Sequence, residues 1–149
     1  MQRFETGDVL TFSKCEVTLI SHNILHLRIF VNLHFEVEDI LESFELINRL
    51  RGDRKFGNIV ESGKNTSYGP GVHEIGAKPE MNVFTLAEAI IVHSLPQKLI
   101  GNFYMQLMGK SKIPTKMFSD FPSACSWLAR TLENLEKSKK KKSLKPNRV

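Results

Sequence analysis

This chain is short of the features by which secreted, membrane and catalytic proteins are usually recognised. It has two cysteines in 149 residues, Cys15 and Cys125, far apart and with no CxxC pair. That excludes a disulfide framework and a thiolate metal site, and leaves a reduced chain with two buried thiols as the expectation. No apolar run approaches the ~18 residues of a membrane span. The opening residues, MQRFETGDVLTF, lack the apolar core of a signal peptide. The expectation is therefore a cytoplasmic protein without a transmembrane segment. Catalytic spacings are missing as well: there is no G-x-S-x-G elbow, no HExxH and no Cys/His ligand spacing. Five residues separate Gly57 from Gly63, and Asn65 stands where a phosphate loop needs a hydroxyl. The acids Glu36, Glu38, Asp39, Glu42 and Glu45 crowd one helix entry and its solvated face, so they are not a glycosidase pair. No acid, base and nucleophile converge, so a non-enzymatic protein is expected, with no cofactor and no metal.

Acid is also absent from the C-terminal end, and this changes the meaning of the net charge. The formal charge is +5, from 21 Lys/Arg against 16 Asp/Glu. Seven of the bases lie between Lys137 and Val149, where there is no acid, leaving fourteen bases against sixteen acids and about −2 on the body. The body offers no basic face for specific nucleic-acid binding. The tail, EKSKKKKSLKPNRV, suits weak non-specific contact with acidic lipid or nucleic acid. The chain is long enough for one domain with a core of its own.

What is present is organised around Glu88–Asp120. Ala89-Ile90-Ile91-Val92 is an unbroken, β-branched apolar run, as a strand buried on both faces requires. Ser94, Pro96 and Gln97 form a helix start: an N-cap hydroxyl, a proline in the first turn and a glutamine three residues after the cap. Leu95, Leu99, Phe103 and Leu107, with Ile100 beside them, recur at helical spacing and are expected to form the buried face. Gly109 is a C-terminal stop. Gly101 inside the helix costs about 1 kcal/mol against Ala, which a close approach to the sheet would explain. Ile113–Phe118 reads as a short strand, with Pro114 at its start. Strand, helix, strand in this space is a right-handed crossover that leaves the two strands parallel.

Ile100-Gly101-Asn102-Phe103, Pro114-Thr115-Lys116, Phe118-Ser119-Asp120 and Trp127-Leu128 together resemble an uncharacterised bacterial family. Its members are described as having domains like STAS domains and like CRAL-TRIO lipid carriers, and their fold is similar to that of anti-sigma-factor antagonists. The resemblance runs from about residue 15 to residue 135 in order of elements and is specific between Leu95 and Leu128. It implies a STAS-like fold and places a helix between Val72 and Thr85, where Pro79 and Asn82 argue for a short or broken one.

The rest of the chain fits that frame. Residues 1–14 read as an N-terminal arm or edge strand through Val9, Leu10 and Phe12. Glu16–Ser21 and Ile24–Phe30 flank a polar turn and read as a hairpin, with Leu25, Leu27 and Ile29 on one face. Val37–Arg51 is an amphipathic helix through Val37, Ile40, Leu41, Phe44 and Ile47, with acids at its start, Arg49 and Arg51 at its end and Gly52 as the stop. Lys55–Glu61 is the next strand, and SGKNTSYGPG is loop. Asp120 caps a last helix through Phe121, Ala124, Leu128, Leu132 and Leu135. The expected class is α/β: a single STAS-like domain over 15–136, with an N-terminal hairpin, βαβ crossovers and helices packed on a mixed sheet. Residues 137–149 are expected to be a disordered basic tail.

Three sets of residues stand out. The antagonist resemblance implies a phosphorylatable hydroxyl where the third strand feeds the next helix, which points to Ser62, Thr66 and Ser67. The Asp-x-Ser-Gly-Val pattern is not there, and plain turn chemistry accounts for the same residues. Among the histidines (His22, His26, His34, His73 and His93) the expectation is solvated or hydrogen-bonded side chains. His93 ends a buried strand and with Ser94 is placed to line a small pocket, as open α/β sheets bind ligands near such ends. Tyr104, Met105 and Met108 add a second apolar surface to their helix, fitted to a protein partner or a homodimer. The function these imply is a non-enzymatic STAS-like regulatory or interaction domain; the alternative is a small-molecule or lipid-binding module.

Overall fold

A six-stranded mixed sheet organises the computed structural model, which describes residues 3–144. In chain order the elements are β1 (Val9–Thr11), β2 (Cys15–Ser21), β3 (Ile24–Ile29), β4 (His34–Phe35), α1 (Val37–Leu50), β5 (Phe56–Glu61) and β6 (Ser67–Tyr68). Then follow α2 (Val72–Gly76), a 3-10 turn (Pro79–Asn82), β7 (Thr85–Ile91), α3 (Leu95–Lys110), β8 (Thr115–Phe118) and α4 (Phe121–Leu144). The sheet order is β1-β2-β3-β5-β7-β8, and β4 with β6 forms a separate two-stranded ladder. β1, β2 and β3 pair antiparallel, whereas β3, β5, β7 and β8 run parallel. The class is thus mixed α/β in one domain, and the Ile90–Phe118 crossover is parallel, with Ile90 opposite Met117.

Local chemistry sets these elements. The β2–β3 turn is closed by a Ser21–Asn23 side-chain hydrogen bond of 3.1 Å, and Val17 faces Leu27 across the ladder. At the start of α1, the Glu36 N–H donates to Asp39 Oδ2 at 2.8 Å, a cap the sequence reading did not identify. Ser94 caps α3 as its spacing predicts, its hydroxyl accepting from the Gln97 N–H at 3.3 Å. Asp120 Oδ1 accepts from the Ser123 N–H at 2.8 Å at the head of α4. β7 begins at Thr85, four residues before the apolar run, because its first half buries Ala87 and Glu88 alongside β5.

The helices divide unequally over the sheet. α4 alone covers one face, laying Ala124, Leu128 and Leu132 on Ile59, Ala87, Ala89 and Ile91. Gly57 permits that approach: a Cβ there would come within 2.9 Å of both leucines. α1, α2 and α3 cover the other face, through Ile47 against Val17, Leu25 and Phe56, and through Val72 against Ile29 and Phe35. Phe4, from the N-terminal arm, is 2% exposed in the first of these clusters.

Two expectations fail in α3. Leu95, Leu99 and Phe103 face solvent, at 70, 62 and 44% exposure. The buried stripe is Gln97, Gly101 and Met108, with Tyr104 directed inward between them. The inward face carries the residue without a side chain: Gly101 lies against β8, where a Cβ would sit 2.7 Å from Met117 Sδ, so the helix packs closely there. Met108, expected on a partner surface, is fully buried, and Met105 is only partly exposed. The tail is the other correction. α4 continues to Leu144 instead of ending near residue 136, with Lys137 paired to Glu133 at 3.3 Å. Extending an existing helix through lysines is nearly free, since nucleation has already been met by the packed half. Residues 145–149 of the expected tail lie outside the described residues.

Candidate functional site

The face of the sheet beneath α1, α2 and α3 is not filled. A cavity of about 160 Å³ lies there, floored by β3, β5 and β7 and roofed by the three helices. Its walls are mostly aliphatic and aromatic: Leu27, Val60 and Ile90 from the sheet, Ile40 and Phe44 from α1, Ile100 from α3. Strand alternation puts Asn58 and Val60 of β5, with Ser62 just beyond it, and Glu88 and Ile90 of β7, with Val92 just beyond it, on this floor. Asn58 and Glu88 are register partners across the parallel pair, so two polar side chains sit side by side in mid-sheet.

Glu88 is 4% exposed, and the one hydrogen-bond partner of its carboxyl among the described residues is the Tyr104 hydroxyl, which donates to Oε2 at 2.9 Å. Burial raises the carboxyl to about 7, and the Tyr104 hydrogen bond partly opposes that rise. Tyr104 is itself pushed well above its ordinary value, first by burial and then by the neighbouring acid. Asn58 donates from Nδ2 to Thr85 Oγ1 at 3.0 Å, while its buried Oδ1 has no partner among the described residues. An unpaired buried acceptor is uncommon and calls for an explanation. His73 stands between two tyrosine rings, 4.6 Å from Tyr68 and 6.0 Å from Tyr104, and burial lowers its pKa, favouring the neutral ring. Among the described residues, no lysine or arginine lines the cavity.

The residues singled out by sequence are distributed otherwise. His93 and Ser94 do not line this cavity; their neighbours Val92 and Gln97 do. His93 Nε2 meets Glu61 Oε2 at 2.8 Å, and His26 Nε2 meets Glu61 Oε1 at 3.0 Å, so one carboxylate holds two histidines on the α4 side of the sheet. Ser94 is occupied in capping α3. Gln97 ties the helix start to the loop after β5, accepting from the His93 N–H and donating to the Gly63 carbonyl, each at 2.8 Å. Of the three loop hydroxyls, Ser62 is buried and hydrogen-bonded to the Tyr68 hydroxyl, and Thr66 is buried and donates to the Phe30 carbonyl at 3.0 Å. Ser67 alone is exposed, 2.7 Å from His34 Nδ1. None of the three stands at a helix N-terminus, because β6 intervenes before α2.

Cys15 is buried, and burial with Asp39, Glu42 and Glu16 nearby pushes its thiol up to about 12, which leaves no thiolate. Cys125 is half-buried instead of fully buried. No group of three or more His, Cys, Asp or Glu that could hold a metal ion occurs among the described residues, and no helix there is long and apolar enough to cross a membrane.

Sequence reading missed Glu88, Asn58 and the inward role of Tyr104. The signal available was a single acid inside the apolar octad TLAEAIIV and a single amide inside FGNIV. Polar residues in strands buried on both faces oppose the fold unless something is to meet them.

A family model described as "Domain of unknown function (DUF7793)" matches residues 18–132. No curated protein and no solved structure matches the chain.

Proposed function

The chain belongs to the DUF7793 family of domains of unknown function, and we propose that it is a non-enzymatic, cytoplasmic small-molecule-binding module. The single observation behind this reading is the cavity of about 160 Å³ with Asn58 and Glu88 on its floor. Predominantly apolar walls with a few convergent polar groups are the common anatomy of ligand sites. The volume is close to that of an engineered cavity of about 150 Å³ that binds benzene, so an occupant of roughly six to ten non-hydrogen atoms fits. A whole acyl chain does not, which sets this reading apart from bulk lipid carriage. Catalysis finds little to work with, since the two serine hydroxyls at the cavity are engaged elsewhere, Ser62 by the Tyr68 hydroxyl and Ser43 by the Ile40 carbonyl, and neither is bonded to a histidine. The STAS-like and lipid-carrier-like kinship belongs to the same proposal, supported by the antiparallel hairpin followed by parallel crossovers.

Benzene is the simplest test. Saturating benzene raises the thermal midpoint and shifts the methyl resonances of Val60 and Ile90. A midpoint and spectrum indifferent to benzene would remove the cavity as a site.

A second reading, the STAS-like interaction domain, draws on the exposed stripe Leu95, Leu99 and Phe103, which takes the place of Tyr104, Met105 and Met108 as the surface for a second copy. Sedimentation equilibrium decides it: a dimer that Leu99→Glu dissociates supports the stripe, and a monomer at high concentration removes it.

A further inference from the structure

The chemistry of the cavity floor narrows the ligand, and this step rests on the small-molecule reading above. The floor offers acceptors. Glu88 presents a carboxyl of which one oxygen is held by Tyr104, and beside it across the β5–β7 pair Asn58 presents an amide oxygen with no partner among the described residues. Donors are scarce. One Asn58 amide N–H is given to Thr85, the Tyr104 hydroxyl to Glu88, the Ser43 hydroxyl to the Ile40 carbonyl, a Gln97 amide N–H to the Gly63 carbonyl and the Asn82 amide N–H groups to the Gly76 and Lys78 carbonyls. The ionisable groups that line the cavity with Glu88 are Tyr104 on α3, His73 on α2 and Tyr68 on β6; among the described residues α1 contributes none, and neither lysine nor arginine is among the lining residues. An anion entering this space would find no cation and one acid. A cation would find a carboxylate, an unpaired amide oxygen and aromatic side chains in the lining, all of which attract it.

We propose that the cavity binds a small apolar-bodied amine as its ammonium ion, the charge seated between Glu88 and the Asn58 amide oxygen and the hydrocarbon part against Val60, Ile90 and Phe44. Charge is conserved in the step. A neutral amine takes the proton from the Glu88 carboxyl, whereas an ammonium entering from solution displaces that proton to buffer. Either way the bound state is one ammonium beside one carboxylate. Because burial holds Glu88 largely protonated below about pH 7, binding of the ammonium releases close to one proton at pH 6 and less at pH 8.

The experiment uses the full chain and four probes of similar size: benzylamine, benzyl alcohol, toluene and benzoate. Isothermal titration at pH 6 and pH 8, in two buffers of different ionisation enthalpy, reads affinity and proton release together. Benzylamine is expected to bind at least about tenfold tighter than toluene, with proton release falling as pH rises, and benzoate is expected not to bind. Glu88→Gln, which keeps the shape and the Tyr104 hydrogen bond, abolishes the preference for benzylamine and retains benzyl alcohol. Asn58→Leu weakens benzylamine and strengthens toluene. Equal binding of benzoate and benzylamine, or benzylamine affinity unchanged in Glu88→Gln, overturns the amine assignment. Binding of toluene with none of benzylamine overturns it too, while leaving the cavity as a ligand site. Failure of all four probes removes the site along with the assignment.

Discussion

Replacing Glu88 by Gln should make this protein more stable at pH 8 and leave it nearly unchanged at pH 4.5. In the unfolded chain the carboxyl ionises near 4.5, whereas in the folded chain burial delays ionisation to about 7. Between those values the folded state holds a proton that the unfolded state has released. The stabilisation is fully present below about 4.5 and is lost as pH rises through 7. At about 1.4 kcal/mol per pH unit of separation, the loss amounts to roughly 3 kcal/mol above pH 7. Gln retains the volume and accepts from the Tyr104 hydroxyl without ever ionising. The difference between variant and wild type should therefore start near zero at pH 4.5 and climb to roughly 3 kcal/mol by pH 8, or a midpoint difference of roughly 6–12 °C. His73 acts in the opposite sense in both proteins. Its lowered pKa contributes stability above about 6.5 that is lost as pH falls through the folded value. Subtracting the two profiles cancels it, which the wild-type profile alone cannot do. Urea unfolding at half-unit intervals from pH 4.5 to 8.5, with m unchanged, is the assay. A difference that stays flat across that range, or a variant less stable than wild type at pH 8, would refute the account of Glu88.

Three further outcomes follow from the packing. Tyr104→Phe removes the one donor to the Glu88 carboxyl; it should cost about 1–3 kcal/mol at pH 8 and move the Glu88 transition to higher pH, read from the same urea profiles. Gly63→Ala and Gly109→Ala should move in opposite directions. A Cβ at residue 63 would lie 2.6–2.7 Å from backbone atoms of Ile29, Phe30 and Val31, for a loss of roughly 1–3 kcal/mol, whereas nothing lies within 4 Å of one at residue 109, for a gain of up to about 1 kcal/mol. Leu128→Ala empties the contact between α4 and the sheet where the side chain is fully buried; a loss of about 2–5 kcal/mol in urea unfolding is expected.

Much of the scaffold was legible because its signals are local. The Ser94–Gln97 spacing, the Asp120 cap, the broken helix around Pro79 and the β-branched run at Ile90 each act within a few residues of themselves, so the sequence predicts them in place. The orientation of α3 was not legible. Its apolar stripe at Leu95, Leu99 and Phe103 obeys helical periodicity as well as any buried face, and the helix nevertheless turns that stripe outward. Gly101 carried the contrary information, but only a neighbour as close as Met117 reveals that a missing side chain outweighs three large ones. The reach of α4 into the lysine run follows from a helix nucleated on the sheet, which composition does not register.

By itself the sequence determined the class, the order of the helices and main-sheet strands from β2 onward and the parallel crossover from Ile90 to Phe118, because hydrophobic period, caps and turn residues act over one element at a time; the short β4–β6 ladder, in segments that read as connection and loop, was not among them. Only the tertiary structure decided what stands in the middle. Asn58 and Glu88 are thirty residues apart in the chain and become neighbours through strand register, while Tyr104 reaches them from a helix whose facing was set elsewhere. A buried acid near neutrality, an unpaired amide oxygen and a space roofed by three helices exist only after distant segments close over one another, since the low dielectric that perturbs Glu88 is a property of the assembled layers and of no stretch of chain.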